Sequence, residues 1–209
     1  MKTNERQTLH GPMRPVRTGF HHNNYDPSLM FTEKQHGVFK GMTGGLTVTL
    51  LALALAIVFA PRAFLPDDSD AVSAISHALR WDVLVVAWLA ASIAALARHR
   101  FFTPSDIDGG GLSDATPTTK ILQSVLQNTL EQMVLALVIH LIWAAAMPWR
   151  WQAAIPVAAI LFFLGRALFW RGYAHGASAR AFGFALTFYP TVVMLFMLVL
   201  NLIWMAITR

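Results

Sequence analysis

Asn128 and Glu131 stand three residues apart in the run Gln127-Asn128-Thr129-Leu130-Glu131-Gln132, inside a long apolar stretch. A carboxylate within a bilayer costs at least a few kcal/mol, so an acid placed there marks a candidate functional site. Glu131 is singled out here as the intramembrane acid of the chain. Two cations, Arg166 and Arg180, fall at the boundaries of later apolar runs. A cation close to a buried carboxylate favours its charged form, so Glu131 is expected to pair with an arginine in a site for a charged ligand. A plainer reading stands beside this one. Polar side chains hydrogen-bond across membrane helices for about 1 kcal/mol each, and arginines at helix ends reach to the headgroups as anchors. Arg171 is read as such an anchor.

Composition sets the stage for these residues. The chain has 209 residues, of which 56% are hydrophobic and 13% charged. A soluble domain carries roughly 25% charge, and the apolar residues here cluster in long runs, so the class is an integral membrane protein. There is no cysteine. Disulfides, thiolate nucleophiles and Cys-ligated metals are therefore excluded, and any thiol chemistry must use a thiol brought by a substrate. Residues 1–37 form a polar basic tail without the apolar core of a signal peptide, and are expected to be retained. The net charge is +5. Its basic residues lie beside apolar runs, which points to a membrane surface and not to nucleic acid.

Five spans are expected, at about 38–60, 81–97, 121–147, 153–170 and 182–207. Each needs roughly 20 apolar residues, and in lipid each must be helical to satisfy its own backbone. The second and fourth are short, and must run with little tilt or gain length from flanking residues. Lys and Arg alternate across the connections: twelve fall in the tail through Lys40, the segment 98–120 and the segment 166–180, against four elsewhere. That bias predicts the N-terminus inside and the C-terminus on the opposite side. The third span is about 27 residues, roughly 40 Å of helix. Counting back from Pro148 places Glu131 about one turn inside the inner boundary. Lys120, Ser124, Gln127, Asn128 and Glu131 follow three- and four-residue steps and share one broad face. The topology thus gathers Glu131, Arg166 and Arg180 at the cytoplasmic boundary.

Other motifs read as structure. Gly37, Gly41 and Gly45 let the first helix approach the bundle closely. Asp106-Ile107-Asp108-Gly109 opens like a calcium loop but has Pro117 where the twelfth ligand belongs, so 103–118 is a surface loop. His10, His21, His22 and His36 lie in the polar region with no rigid frame for a metal, and His140 is expected to be a buried hydrogen-bond partner.

The stretch 123–132, QSVLQNTLEQ, resembles the second helix of the MAPEG family, membrane-associated proteins of eicosanoid and glutathione metabolism. The family mark there is Arg-x-x-x-Asn-x-x-Glu, and Asn128 and Glu131 match it. The stretch 166–173, RALFWRGY, followed by Arg180, is similar to the family's third helix, with an Arg and a Tyr seven apart, and then to the Arg that opens its fourth. Residues 98–111 resemble the loop between the first two helices of bacterial members. The resemblance covers about residues 80–207. It implies a four-helix transmembrane bundle assembled as a homotrimer, with span 38–60 as one additional N-terminal helix, in a bacterial inner membrane. It also implies glutathione as cosubstrate, bound between subunits on the cytoplasmic side, where the charge pattern places Glu131, Arg166 and Arg180.

By that resemblance Arg180 is the catalytic residue that stabilises the glutathione thiolate, and Asn128, Glu131, Arg166 and Tyr173 bind the tripeptide. Three positions depart from the pattern. Ser124 replaces the motif Arg, Gln127 a frequent basic residue, and Phe184 a Tyr that in some members donates to the thiolate. Charged hydrogen bonds contribute about 1.5–3 kcal/mol each, and Lys120, one turn before Ser124, restores part of the missing charge. Two functions follow. One is a glutathione transferase or peroxidase acting on lipophilic substrates from the membrane. The other is a non-catalytic membrane scaffold, with the first helix and basic tail recruiting a membrane partner or anionic lipid. A transporter using Glu131 finds no support, since no inverted repeats are evident.

Overall fold

The computed structural model describes residues 32–109, 112 and 114–208. The tail with His10, His21 and His22 lies outside these residues. Five helices account for nearly all of the rest: α1 (Glu33–Phe59), α2 (Ala71–Phe102), α3 (Pro117–Ala146), α4 (Ala154–Tyr173) and α5 (Ala177–Ile207). All five are long and apolar enough to cross a membrane, and the described residues contain no strand.

The helix starts are written in local chemistry. Thr32 and Gln35 cap α1 reciprocally: the Thr32 hydroxyl accepts from the Gln35 N–H at 3.3 Å, and the Gln35 side chain accepts from the Thr32 N–H at 2.7 Å. α1 stops at Ala60, whose left-handed φ of 40° precedes Pro61. Asp70 starts α2, one carboxylate oxygen accepting from the N–H groups of Val72 and Ser73 at 2.9 and 3.0 Å. This cap lies well before the expected span 81–97, so α2 gains the missing length at its first turns and runs 32 residues. α4 gains length likewise from the short helical turn Trp149–Ala153 in front of it.

Asp106 joins α2 to α3. Its carboxylate accepts from the Thr116 N–H at 2.9 Å, the Thr116 hydroxyl at 2.6 Å and the Thr119 hydroxyl at 2.8 Å. Thr116 is in turn the N-cap of α3, and His99 of α2 stands 3.4 Å from the same carboxylate. The Thr116 hydroxyl and N–H together hold the Asp106 carboxyl down at about 2, against the opposing effect of desolvation. The apparent calcium-loop acid is thus consumed in capping.

Within lipid, helices gain little from hiding apolar surface and associate by close packing and interhelical hydrogen bonds. α1 and α4 both lie along α5, and α2 along α3. Gly37, Gly41 and Gly45 of α1 meet Ser178, Ala181 and Ala185 of α5, as the spacing predicts; a Cβ on Gly45 would stand only 2.3 Å from that of Ala185. Gly165 and Gly183 do the same between α4 and α5, where a Cβ on Gly183 would meet the Phe169 backbone at 2.4 Å. An apolar core of Leu53, Trp143, Ile155, Met194 and Leu198 fills the end away from Arg180. His140 of α3 hydrogen-bonds Asp82 of α2 through Nδ1 at 2.5 Å, both fully enclosed, which bears out the buried-partner reading of His140.

Candidate functional site

Three helices converge on Arg166. Its guanidinium donates through Nη1 to Asn128 Oδ1 of α3 at 2.8 Å and through Nη2 to Thr187 Oγ1 of α5 at 2.6 Å. Its charge lies against the rings of Phe169 at 4.4 Å and Phe162 at 5.6 Å. Arg166 is 1% exposed, so it offers almost no surface to a ligand, and its hydrogen bond fixes the Asn128 side chain. With the Asn128 oxygen engaged, that amide offers a ligand its NH2 donor.

Arg180 stands in the first turn of α5, its guanidinium 4.3 Å over the ring of Tyr173 at the end of α4. The two close a cavity of about 260 Å³ with Asn128, Phe169 and Phe184. Val38 and Met42 of α1, with Ala177 and Ala181 of α5, complete its wall. The chamber is therefore largely apolar, with one cation, one phenol and one amide.

Lys120, Gln123, Ser124, Gln127, Asn128 and Glu131 line a second, more open and more polar groove of about 510 Å³. All six lie on α3, as the shared-face reading requires. Asn128 borders both spaces. Glu131 is exposed on this face and accepts a hydrogen bond from Gln127 Nε2 at 2.9 Å.

The expected pairing of Glu131 with an arginine is not formed within the chain. The contacts of the right kind that the described residues show are Arg80–Asp67 and two histidine–carboxylate contacts, His99–Asp106 and His140–Asp82. The reason is geometric: both terminal nitrogens of Arg166 are taken by Asn128 and Thr187, and Glu131 points outward one turn further along α3. Nor is Glu131 buried; among the described residues the buried acids are Asp82 within the bundle, 2% exposed, and Asp106 at the α2–α3 joint, 1% exposed. Asp82 escaped notice because it stands at the edge of the expected span. Thr187 was also missed, although a hydroxyl seven residues after Arg180 falls on the same face of α5.

A family model, MAPEG family, matches residues 78–200. The chain belongs to the MAPEG family. The matched region of this MAPEG protein begins inside α2 and ends inside α5, so α1 lies outside it. Arg166, Tyr173, Arg180 and the α3 groove all lie within it. No curated protein and no solved structure matches the chain. Family and helices together make this an integral membrane protein.

Proposed function

We propose that this MAPEG protein is a glutathione-dependent transferase or peroxidase acting on lipophilic substrates. The observation that carries the reading is Arg180: a guanidinium in a small apolar chamber that meets a polar groove at Asn128. A cation beside a thiol favours the thiolate, and a fixed charge in a largely apolar site acts more strongly than in water. Tyr173 holds the guanidinium in place from below. The polar groove suits a charged tripeptide. Lys120 and the Asn128 NH2 face its carboxylates, Glu131 its ammonium group, and Arg166 positions Asn128 from behind. The thiol end then reaches into the Arg180 chamber, where an apolar electrophile or peroxide waits.

One helix forms the whole lining of the groove, which supports a second wall from a neighbouring subunit and hence the homotrimer that the family resemblance implies. The Lys and Arg bias favours the cytoplasm for this end of the bundle and the opposite side for the C-terminus, in a bacterial inner membrane.

Calorimetry of glutathione binding to the detergent-solubilised protein, with thiolate absorbance in the ultraviolet, tests the reading. Binding with thiolate formation near neutral pH is expected. Arg180→Ala should leave the oligomer intact, remove the thiolate signal and lower kcat by about 100- to 1,000-fold, the usual loss for one electrostatic donor. Neither heat nor thiolate at millimolar glutathione would sink it. The second reading, a non-catalytic scaffold that recruits a membrane partner through α1, is favoured by Ser124, Gln127 and Phe184. It requires that Arg180→Ala leave the cellular role unchanged.

A further inference from the structure

The Arg180 chamber has a neighbour on its α1 side. Lys34, Gln35, Val38, Phe39, Met42 and Ala177 line an almost wholly apolar groove of about 360 Å³. Val38, Met42 and Ala177 border both this groove and the chamber. These three residues are the boundary the two spaces share, and two of them come from α1, the helix outside the family match.

The backbone of that wall is pinned. Gly37 and Gly41 already sit against Ser178 and Ala181, and the Ser178 hydroxyl donates to the Lys34 carbonyl at 3.1 Å. Helix α1 therefore cannot close or widen the wall by sliding inward. What can move is a side chain. Val38 is β-branched and stiff at χ1. Met42, one turn on, is unbranched with three rotatable bonds. Ala177 carries no rotamer at all. Of the three, Met42 alone can swing aside.

We propose that Val38 and Met42 form a side-chain gate, through which a slender apolar electrophile passes from the bilayer into the Arg180 chamber. Val38 is its fixed post and Met42 its moving leaf. The additional helix then selects the second substrate. The chamber, at about 260 Å³, falls below the roughly 300–1,000 Å³ of drug-sized ligand sites, so it suits an unbranched chain better than a fused-ring compound. The chemistry awaiting that electrophile rests on the function proposed above; the passage itself does not.

The absence of cysteine makes the passage measurable without turnover. Phe184→Cys places one thiol in the chamber, at a position that does not border the outer groove; Tyr173→Cys is a second reporter should the first fail to fold. In liposomes, hexyl methanethiosulfonate probes the route from the bilayer, and a trimethylammonium-ethyl methanethiosulfonate the route from water. Met42→Trp is expected to slow labelling by the hexyl reagent at least about tenfold, equivalent to about 1.4 kcal/mol of barrier. Met42→Ala is expected to speed it, and both should leave the cationic reagent unchanged. Hexyl labelling indifferent to both substitutions overturns the gate, as does an equal effect on both reagents. Failure of glutathione to bind, with the hexyl rates shifting as expected, overturns the proposed function and leaves the gate standing.

Discussion

Arg166 is a buried cation held by neutral oxygens. A charge removed from water is costly unless hydrogen bonds replace the lost solvation, and Asn128 and Thr187 supply them from two other helices. Sequence spacing shows which face a residue shares, and on that basis Asn128 and Glu131 are recognisable, while Arg166 stands out by its place at the end of an apolar run. Spacing does not show which face a neighbouring helix turns toward it, so it points to a charged pairing of Glu131 with an arginine and not to the neutral Asn128 as the partner of Arg166. Asp82 and His140 pose the complementary case, a pair enclosed in the bundle with one oxygen and one nitrogen lacking other protein partners. Leaving one member behind costs the desolvation of a polar group, whereas removing both can be nearly neutral. Asp82→Leu and His140→Leu should each destabilise by about 1–3 kcal/mol, and the double substitution should cost less than their sum. Denaturant unfolding of all four proteins in detergent completes the cycle; strict additivity would refute the coupling.

Among the elements, helix interiors were plain in the apolar runs and helix beginnings were not. An apolar window ends where charge begins, so it stops at Trp81, while Asp70 begins α2 by an interaction with the backbone that hydropathy does not register. The joint between α2 and α3 is of the same kind. Asp106 accepts from the N-cap residue of α3 and the hydroxyl three residues on, and its carboxyl is lowered from 3.8 to about 2. A carboxylate lowered in the folded state lends stability above its unfolded value and withdraws it as pH falls through the folded one. Asp106→Asn should therefore melt below the parent protein at pH 7. The gap should narrow from pH 3.8 and close near pH 2. A gap of the same size at both ends of that range, seen in thermal unfolding in detergent, would mean that the ionised carboxylate contributes nothing.

For the whole molecule, the number of spans and the extra helix were legible from apolar length, and the four-residue glycine rhythm gave the packing face of α1. Its partner was not legible, because small residues on α5 mark a close approach without naming who approaches. The contact itself makes a sharp contrast. A Cβ on Gly45 would lie 2.3 Å from Ala185, while one on Gly44 meets Phe182 at an ordinary 3.6 Å. Gly45→Ala should cost about 1–3 kcal/mol by overpacking. Gly44→Ala should be neutral, or stabilising by up to about 1 kcal/mol through helix propensity. Equal unfolding midpoints for the two variants would show that α1 is loosely attached. The tight turn between α4 and α5 bears on biogenesis. Only residues 174–176 separate the two helices, and an arginine that enters lipid without a partner carries a cost that rises toward mid-span. Thr187 is the Arg166 partner that arrives last from the ribosome, and Asn128 is already in place. The nascent chain therefore has reason to deliver α4 and α5 to the translocon as one hairpin, the arginine entering lipid with its hydroxyl acceptor beside it.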